Sequence, residues 1–281
     1  MSKRRPFTEN EVNVICKLWK EGKTATQICR IVESLSNRKP QTLYPVLIKN
    51  GLYQKKPYND LRKFKVNDNY FKTIDTEHKA YWLGFMIADG FLSNSGHATK
   101  SFGMTLNSKD KYILELFKKD LESNYNIHDY TSEGHCTSKL LIKSESIYND
   151  LLRYGLTVNK SYDATLPLDK IPENLVNHLI RGYFDGDGGF SKTSKNSYSL
   201  YCMGFTGTSE VIKSIRHILK KDNIKICQRF PDRNNNNCSL YISGDRQIYN
   251  IGKWLYHDAT IYLVRKHDRY MEIFNKYNTK N

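Results

Sequence analysis

Two aspartates, Asp89 and Asp187, occupy matching places in this chain. Asp89 is the penultimate residue of WLGFMIADG (82–90) and Asp187 that of IRGYFDGDG (180–188). Each segment has the character of an apolar helix that stops at a glycine, so each carboxylate is predicted at a helix C-terminus. Two carboxylates held side by side there repel each other, and the negative end of each helix dipole also disfavours their ionised forms. A hard divalent cation relieves this repulsion and can activate water for phosphodiester hydrolysis.

Small residues recur at helical spacing in both segments. Gly84 and Ala88 lie four residues apart in the first, as do Gly182 and Gly186 in the second. A stripe of small residues lets two helix backbones approach more closely than usual. We therefore predict that the two segments pack against each other and bring Asp89 and Asp187 together.

The elements that would position these helices also occur twice. After each motif the sequence predicts a hairpin, a helix, a second hairpin and a helix, with strands such as SFGMTLN and KLLIK in the first copy and LYCMGFT and SLYIS in the second. Phe102, Met104 and Leu106 alternate with small and polar residues, which indicates one packed and one polar sheet face. The predicted fold class is α+β, a duplicated α-β-β-α-β-β-α unit whose polar faces form a saddle.

The segment before this repeat predicts three short helices. Thr8 and Glu11 have the spacing of a capping box, and a third helix begins near 39–42. The arrangement resembles the homeodomain-like helix-turn-helix family, although a helical bundle with a solvated basic face fits the same pattern. Pro45 is compatible with the third helix only in its first turn. The residues predicted to face DNA are Gln41, Thr42, Tyr44, Lys49 and Asn50.

Composition favours a polyanionic partner. The 281 residues carry a net charge of +15, with a pI of about 9.4, and residues 1–65 hold 15 Lys and Arg against 5 Asp and Glu. We expect no membrane partner, because no run of about 18 apolar residues occurs. No signal sequence is evident, so we expect the compartment of synthesis, the cytoplasm of a bacterial or phage-infected cell, with an organelle as the alternative.

The two motifs resemble those of the LAGLIDADG homing endonucleases, and the resemblance runs from about Glu77 to Ile273. It implies a monomer with internal pseudo-two-fold symmetry that cuts both strands of a double-stranded DNA target across the minor groove, as in intron homing. It also implies a Mg²⁺ cofactor for which Mn²⁺ substitutes. Asp89 and Asp187 would bind the metal, aided by the backbone carbonyls of Ala88 and Gly186.

The same resemblance implies further residues around the reacting phosphates. Asn107 matches a polar residue near the end of a strand, and its second-half counterpart is Thr206 or Gly207. The lysine positions match Lys160 and Lys266, with Arg265 as a rival to Lys266. Many family members carry a further acid two residues before the metal ligand, where this chain has Ile87 and Asp185. The residues of the second half predicted to contact DNA from the saddle are Lys225, Arg229 and Arg233.

These inferences divide the chain into four parts: a helix-turn-helix-like domain (1–52), a basic linker (53–76), a first half (77–165) and a second half (166–281). The leading functional hypothesis is a site-specific double-strand DNA endonuclease. Two alternatives use the same scaffold, a DNA-binding regulator that does not cleave and an RNA-splicing maturase. Retention of Asp89 and Asp187 speaks against the regulator, and an intein is disfavoured because no splicing block precedes the motif.

Overall fold

A computed structural model describes residues 5–54, 63–94, 100–158, 163–195, 198–220, 226–229 and 237–279, with the backbone alone at 193–195, 198–200, 226–229 and 237. The chain divides into two compact units, Met1–Lys63 and Phe64–Asn281. None of the helices in these ranges is both long and apolar enough to cross a membrane.

The N-terminal unit is built from helices α1 (Glu9–Lys20), α2 (Ala25–Ile31) and α3 (Tyr44–Lys49). Capping boxes begin the first two helices, because the side chains of Glu11 and Gln27 accept from the backbone N–H groups of Thr8 and Thr24. The inner faces of the helices form a small core centred on three fully buried residues, Ile15, Ile28 and Leu47.

The third helix is shorter than predicted. Pro40–Leu43 form a turn of 3₁₀ helix, and α3 follows with six residues. Pro45 lies in the first turn of α3, where its missing N–H leaves no hydrogen bond unmade. The Asn50 amide donates to the carbonyl of Val46 and ends the helix. The helix therefore begins after the position near 39–42 that the sequence pattern predicted.

The segment 53–76 differs from the single linker that its composition predicted. The Tyr53 ring packs against Trp19 and Tyr44 of the N-terminal unit, with ring centroids 5.9 and 4.7 Å apart. Phe71 and Ile74 are buried in the core of the second unit. Burial of these apolar side chains stabilises the folded state, although the charged residues around them suggested a flexible linker. Each end of the segment therefore belongs to a folded unit.

The second unit contains the predicted repeat. The helices are α4 (Glu77–Asp89), α5 (Lys111–Asp120), α6 (Glu145–Arg153), α7 (Val176–Asp187), α8 (Ser209–Leu219), α9 (Asp245–Leu255) and α10 (Val264–Asn278). The strands are β1 (Gly90–Ser93), β2 (Ser101–Asn107), β3 (Ile127–Ser132), β4 (His135–Lys143), β5 (Gly188–Lys195), β6 (Tyr198–Thr208), β7 (Ile226–Arg229) and β8 (Asn237–Ser243).

Two four-stranded antiparallel sheets have the same strand order, β1-β2-β4-β3 and β5-β6-β8-β7. Their registers also correspond, since Gly90 pairs with Met104 and Gly188 pairs with Phe205. Phe102, Met104 and Leu106 are buried and Thr105 and Asn107 are exposed, as the alternation predicted, whereas Ser101 and Gly103 on the polar face are buried as well. The α+β fold class and the duplication are confirmed.

Candidate active site

Helices α4 and α7 pack against each other through their glycines. A Cβ added at Gly84 would lie 1.9 Å from the carbonyl oxygen of Leu179, and one added at Gly182 would lie 1.9 Å from that of Tyr81. Both distances are far shorter than any non-bonded contact, so only glycine fits at either position. The two contacts are reciprocal, since each glycine meets a backbone carbonyl of the other helix.

The contact continues to the ends of the two helices and brings the aspartates together. A Cβ at Gly186 would lie 2.3 Å from Cβ of Ala88 and 3.4 Å from Oδ2 of Asp89. Asp89 is half-buried and Asp187 is exposed. Burial, together with the charges of both aspartates, raises the pKa of Tyr183 above its usual range. The two carboxylates therefore occupy one site at the adjacent C-termini.

Asp89 directly precedes the edge strand β1, and Asp187 directly precedes the edge strand β5. A cleft of about 290 Å³ opens beside Asp187. Its lining residues are Asp187, Gly188, Gly189, Phe190, Ser191, Gly204, Thr206 and Tyr241. The sequence left open whether Thr206 or Gly207 is the second-half residue, and Thr206 shares the cleft with Asp187. Gly207 instead faces Tyr183, whose hydroxyl would lie 2.1 Å from a Cβ added at Gly207.

Strand register points to a different first-half residue than the sequence did. Thr206 follows the partner of Gly188, and the residue that follows the partner of Gly90 is Thr105. Asn107 lies two residues farther along β2, where its side chain accepts from the backbone N–H of Lys109 and caps a 3₁₀ turn. Thr105 is the residue that the sequence reasoning missed, and counting from the aspartates would not have found it, because Thr105 follows Asp89 by 16 residues and Thr206 follows Asp187 by 19.

Lys266 lies under the end of α7 with only 4% of its surface exposed. Its Nζ donates to the carbonyls of Phe184 (2.7 Å), Asp185 (2.7 Å), Gly186 (3.2 Å) and Gly188 (2.6 Å). Burial lowers the pKa of Lys266 to about 8, against the opposing effect of the Asp185 charge. The ammonium group thus neutralises the carbonyls at a helix C-terminus.

The rival to Lys266, Arg265, and the first-half candidate, Lys160, have different outcomes. Arg265 is exposed and pairs with Asp110, with Nε 3.1 Å from Oδ2. Lys160, the first-half candidate, lies outside the described residues.

Solved structures with a similar chain trace are LAGLIDADG homing endonucleases. I-LtrWI bound to target DNA is 17% identical, with a TM-score of 0.52 over 76% of this chain and 92% of that chain. I-SmaMI bound to uncleaved DNA in the presence of calcium ions is 14% identical, with a TM-score of 0.51 over 74% and 93%. This chain has the LAGLIDADG homing endonuclease fold. No protein-family model matches the sequence, and no curated protein matches it.

The polar residues of the LAGLIDADG helices differ between the two halves. Asp185 is fully buried and its Oδ2 accepts from the Tyr81 hydroxyl (3.0 Å) and from the backbone N–H of Leu263 (2.7 Å). Burial raises the pKa of Asp185 to about 6. The corresponding residue of the first helix is Ile87, which is also buried. The acid missing from the first motif is therefore replaced by an apolar packing residue.

A buried ion pair joins the two halves of the LAGLIDADG unit. The fully buried Arg181 donates to Oε1 of Glu77 at 2.7 Å, and its Nη1 donates to Nδ1 of His178 at 2.6 Å. Burial, and secondarily the Arg181 charge, lowers the pKa of His178, in keeping with a neutral ring. A lone arginine inside the apolar IRGYFDGDG segment was the sequence signal for this pair, because a buried charge requires a partner.

Replacing Glu77 with glutamine is expected to lower the free energy of unfolding by about 3 kcal/mol, because Arg181 would keep its buried charge without a counter-charge. Burial opposes ionisation of Glu77, but hydrogen bonds from Thr260 and the Arg181 charge outweigh it and lower its pKa. The stabilisation that ionised Glu77 contributes to the fold is therefore complete above the ordinary glutamate pKa, and it is lost as the pH falls through the lowered pKa of Glu77. Urea unfolding at pH 7 and at pH 3 measures both effects.

The control is Glu210→Gln, which removes the same charge from an exposed pair with Lys213. A loss of at most about 0.5 kcal/mol is expected for that exposed pair. An equal loss in the Glu77 and Glu210 variants would contradict the role of the buried pair.

The donor set at the aspartates fits a hard divalent cation. Two carboxylates and the nearby carbonyls of Ala88 and Gly186 offer oxygen ligands only, which Mg²⁺, Ca²⁺ and Mn²⁺ prefer. Gly186 keeps a lone pair for this purpose, since a carbonyl has two and its contact with Lys266 uses one. Within the described ranges no group of three or more His, Cys, Asp or Glu could hold a metal. Water and substrate oxygens would complete the coordination shell, as is usual for Mg²⁺.

The residues predicted to contact DNA are only partly described. Lys225 and Arg233 lie outside the described residues, and for Arg229 only the backbone, in β7, is described. In the N-terminal unit Gln41 and Lys49 are exposed. The remaining three candidates have internal contacts: the Thr42 hydroxyl donates to the carbonyl of Lys39, the Tyr44 ring packs edge-on against Trp19, and the Asn50 amide donates to the carbonyl of Val46.

Proposed function

We propose that the protein is a site-specific DNA endonuclease that hydrolyses a phosphodiester bond in each strand of a duplex. The observation that carries this proposal is the glycine-mediated contact between α4 and α7, which brings Asp89 and Asp187 into one site. The shared fold adds support, because I-LtrWI and I-SmaMI are both homing endonucleases seen on DNA. The net charge of +15 suits the same partner.

In the proposed mechanism Asp89 and Asp187 hold a divalent cation, Mg²⁺ or Mn²⁺, at the two helix ends. When bound, this cation acidifies water and stabilises negative charge on the scissile phosphate. Thr206 has an exposed side chain in the cleft of Asp187, where its hydroxyl can orient water or a phosphate oxygen. Thr105 provides the same group in the first half. Lys266 holds the carbonyls of the last turn of α7 and so orients Asp187.

In this proposal a single copy of the protein is active, and each half of its second unit acts on one DNA strand. Sequences cleaved by the purified protein can be recovered from a plasmid library that carries candidate insertion sites, in the presence of Mg²⁺. Paired cuts at one sequence, made by a species of monomer mass, are the expected result. Specific binding without cleavage would favour the regulator, and stimulation of RNA splicing without DNA cleavage would favour the maturase.

We further propose that the N-terminal unit contributes DNA affinity through a helix-turn-helix-like contact. Removing residues 1–63 is expected to weaken binding and to lower the slope of log K against log salt concentration by about 2 to 4, because each lost phosphate contact contributes about 0.9. The cut position should not change. Binding measured between 50 and 300 mM KCl tests this prediction, and an unchanged slope would contradict it.

A further inference from the structure

The match between the residues of α4 and α7 fails at a polar contact between the two helices. Counted back from the aspartates, Tyr81 corresponds to Leu179, and Asp185 corresponds to Ile87. Tyr81 and Asp185 are joined by a hydrogen bond of 3.0 Å across the helix contact. The symmetry-related positions, Leu179 and Ile87, carry aliphatic side chains that cannot form one. The contact therefore exists on the side of Asp187 and has no counterpart on the side of Asp89.

Asp185 also binds a segment that crosses from the second half to the first. We call residues 260–265 the strap. Its Leu263 N–H donates to Oδ2 of Asp185 at 2.7 Å, beside the Tyr81 hydroxyl. The last two residues of the strap, Val264 and Arg265, begin α10, whose first turn also carries Lys266.

First-half residues hold the strap at three other points. Glu77 accepts from the backbone N–H of Thr260 at 2.7 Å and from its hydroxyl at 2.6 Å. The Val264 N–H donates to the hydroxyl of Tyr112 at 2.8 Å. The third contact is the ion pair between Arg265 and Asp110 described above. The strap is thus held by the first half at these points and by the second half through Asp185 and through Arg181, whose Nε donates to the Ile261 carbonyl at 3.0 Å.

The strap in turn sets the position of Lys266. All four carbonyls that accept from its Nζ lie between Phe184 and Gly188, the turn that carries Asp187. A shift of the strap moves Lys266, and a shift of Lys266 releases that turn. The path therefore runs from Tyr81 and Asp185 through the strap to the Asp187 carboxylate.

We propose that Asp185 is a positioning residue for Asp187 and not for Asp89, so that the second half, which acts on one DNA strand, depends on a clasp that the first half does not use. The clasp consists of the Tyr81 hydroxyl, the Asp185 carboxylate and the Leu263 N–H. This inference rests on the proposed endonuclease function. It assigns different structural requirements to two aspartates whose motifs look alike.

Strand-specific cleavage rates test the proposal. A duplex that the wild-type protein cleaves is labelled with a different dye on each strand, and single-turnover rates are measured with Mg²⁺. Asp185→Ala is expected to slow one strand at least about 10-fold more than the other, so that nicked DNA accumulates, since positional shifts near 1 Å cost about 100-fold. Tyr81→Phe is expected to bias the same strand to a smaller extent.

Two further variants separate positioning from general damage. Tyr70→Phe is a matched control, because the Tyr70 hydroxyl is also buried but has no hydrogen-bond partner among the described residues. It should leave the ratio of strand rates unchanged. Asp185→Asn keeps an oxygen at the Oδ2 position for both donors and should restore the ratio nearly to the wild-type value. Equal slowing of both strands by Asp185→Ala, or no slowing, would overturn the proposal.

Hydrogen–deuterium exchange provides a readout that does not need DNA. Tyr81→Phe and Asp185→Ala are expected to speed exchange at 184–188 and 260–267, with no change at 86–90. Equal acceleration at both motif ends would contradict a one-sided clasp. Failure of the wild-type protein to cut either strand would instead refute the proposed function, so the two failures are distinguishable.

Discussion

Asp187→Asn is expected to abolish DNA cleavage and to leave DNA binding intact, and Asp89→Asn is expected to do the same. Asparagine preserves the size of the side chain but removes the negative charge that a hard cation requires. The two residues meet at one site, so each substitution removes half of the anionic ligands that the chain supplies there. We expect a loss of at least about 1,000-fold in the single-turnover rate.

Cleavage in Mg²⁺ and binding in Ca²⁺ are the two measurements for these variants. Binding should stay within about threefold of the wild-type affinity, because phosphate contacts elsewhere supply most of it. Asp268→Asn is the matched control, since Asp268 is an exposed residue of α10 with no place in the site. If Asp89→Asn or Asp187→Asn cuts at the wild-type rate, the active site has been assigned to the wrong residues.

Gly84→Ala is expected to lower the free energy of unfolding by about 4 kcal/mol or more, a loss typical of severe overpacking. The new methyl group would lie 1.9 Å from the carbonyl oxygen of Leu179 and 2.8 Å from the backbone nitrogen of Tyr183. Backbone atoms cannot move aside as a side-chain end can, so the two helices must separate. Gly182→Ala should have a similar effect, because its contacts are the symmetric ones.

Separation of the helices also moves Asp89 away from Asp187. A displacement of about 1 Å is expected to lower the cleavage rate of any folded Gly84→Ala protein about 100-fold. Gly189→Ala is the control for stability, since an added Cβ there meets no atom within 4 Å. Urea unfolding compares the three proteins. Wild-type stability of Gly84→Ala would show that the helices do not pack in this way.

Local sequence patterns predict much of this architecture. The recurrence of WLGFMIADG as IRGYFDGDG predicted the duplication, and the alternation along SFGMTLN predicted the packed and exposed faces of β2. The small-residue stripes predicted the contact between α4 and α7, because small residues at helical spacing in an apolar helix allow a second helix backbone to approach closely. These inferences succeeded because each depends on neighbours within one or two turns of the chain.

Other features of the site depend on which residues meet across the fold. The sequence suggested Lys266 for the catalytic water network, yet its ammonium group is enclosed by four carbonyls of α7. The first-half strand residue shifted from Asn107 to Thr105 only when the register with Gly90 was known. Residues around Phe71 resembled a linker, because their charged neighbours masked two apolar side chains that fill a core.

The sequence by itself determined the repeated elements and the pair of aspartates, since short-range periodicity and residue type specify both. Only the tertiary structure decided that Asp185 meets Tyr81 and the strap, and that Arg181 meets Glu77. The physical reason is that a buried polar group must find a partner, but nothing in its local sequence says which distant group supplies it. The difference between the two halves therefore resides in contacts that close only when the chain has folded.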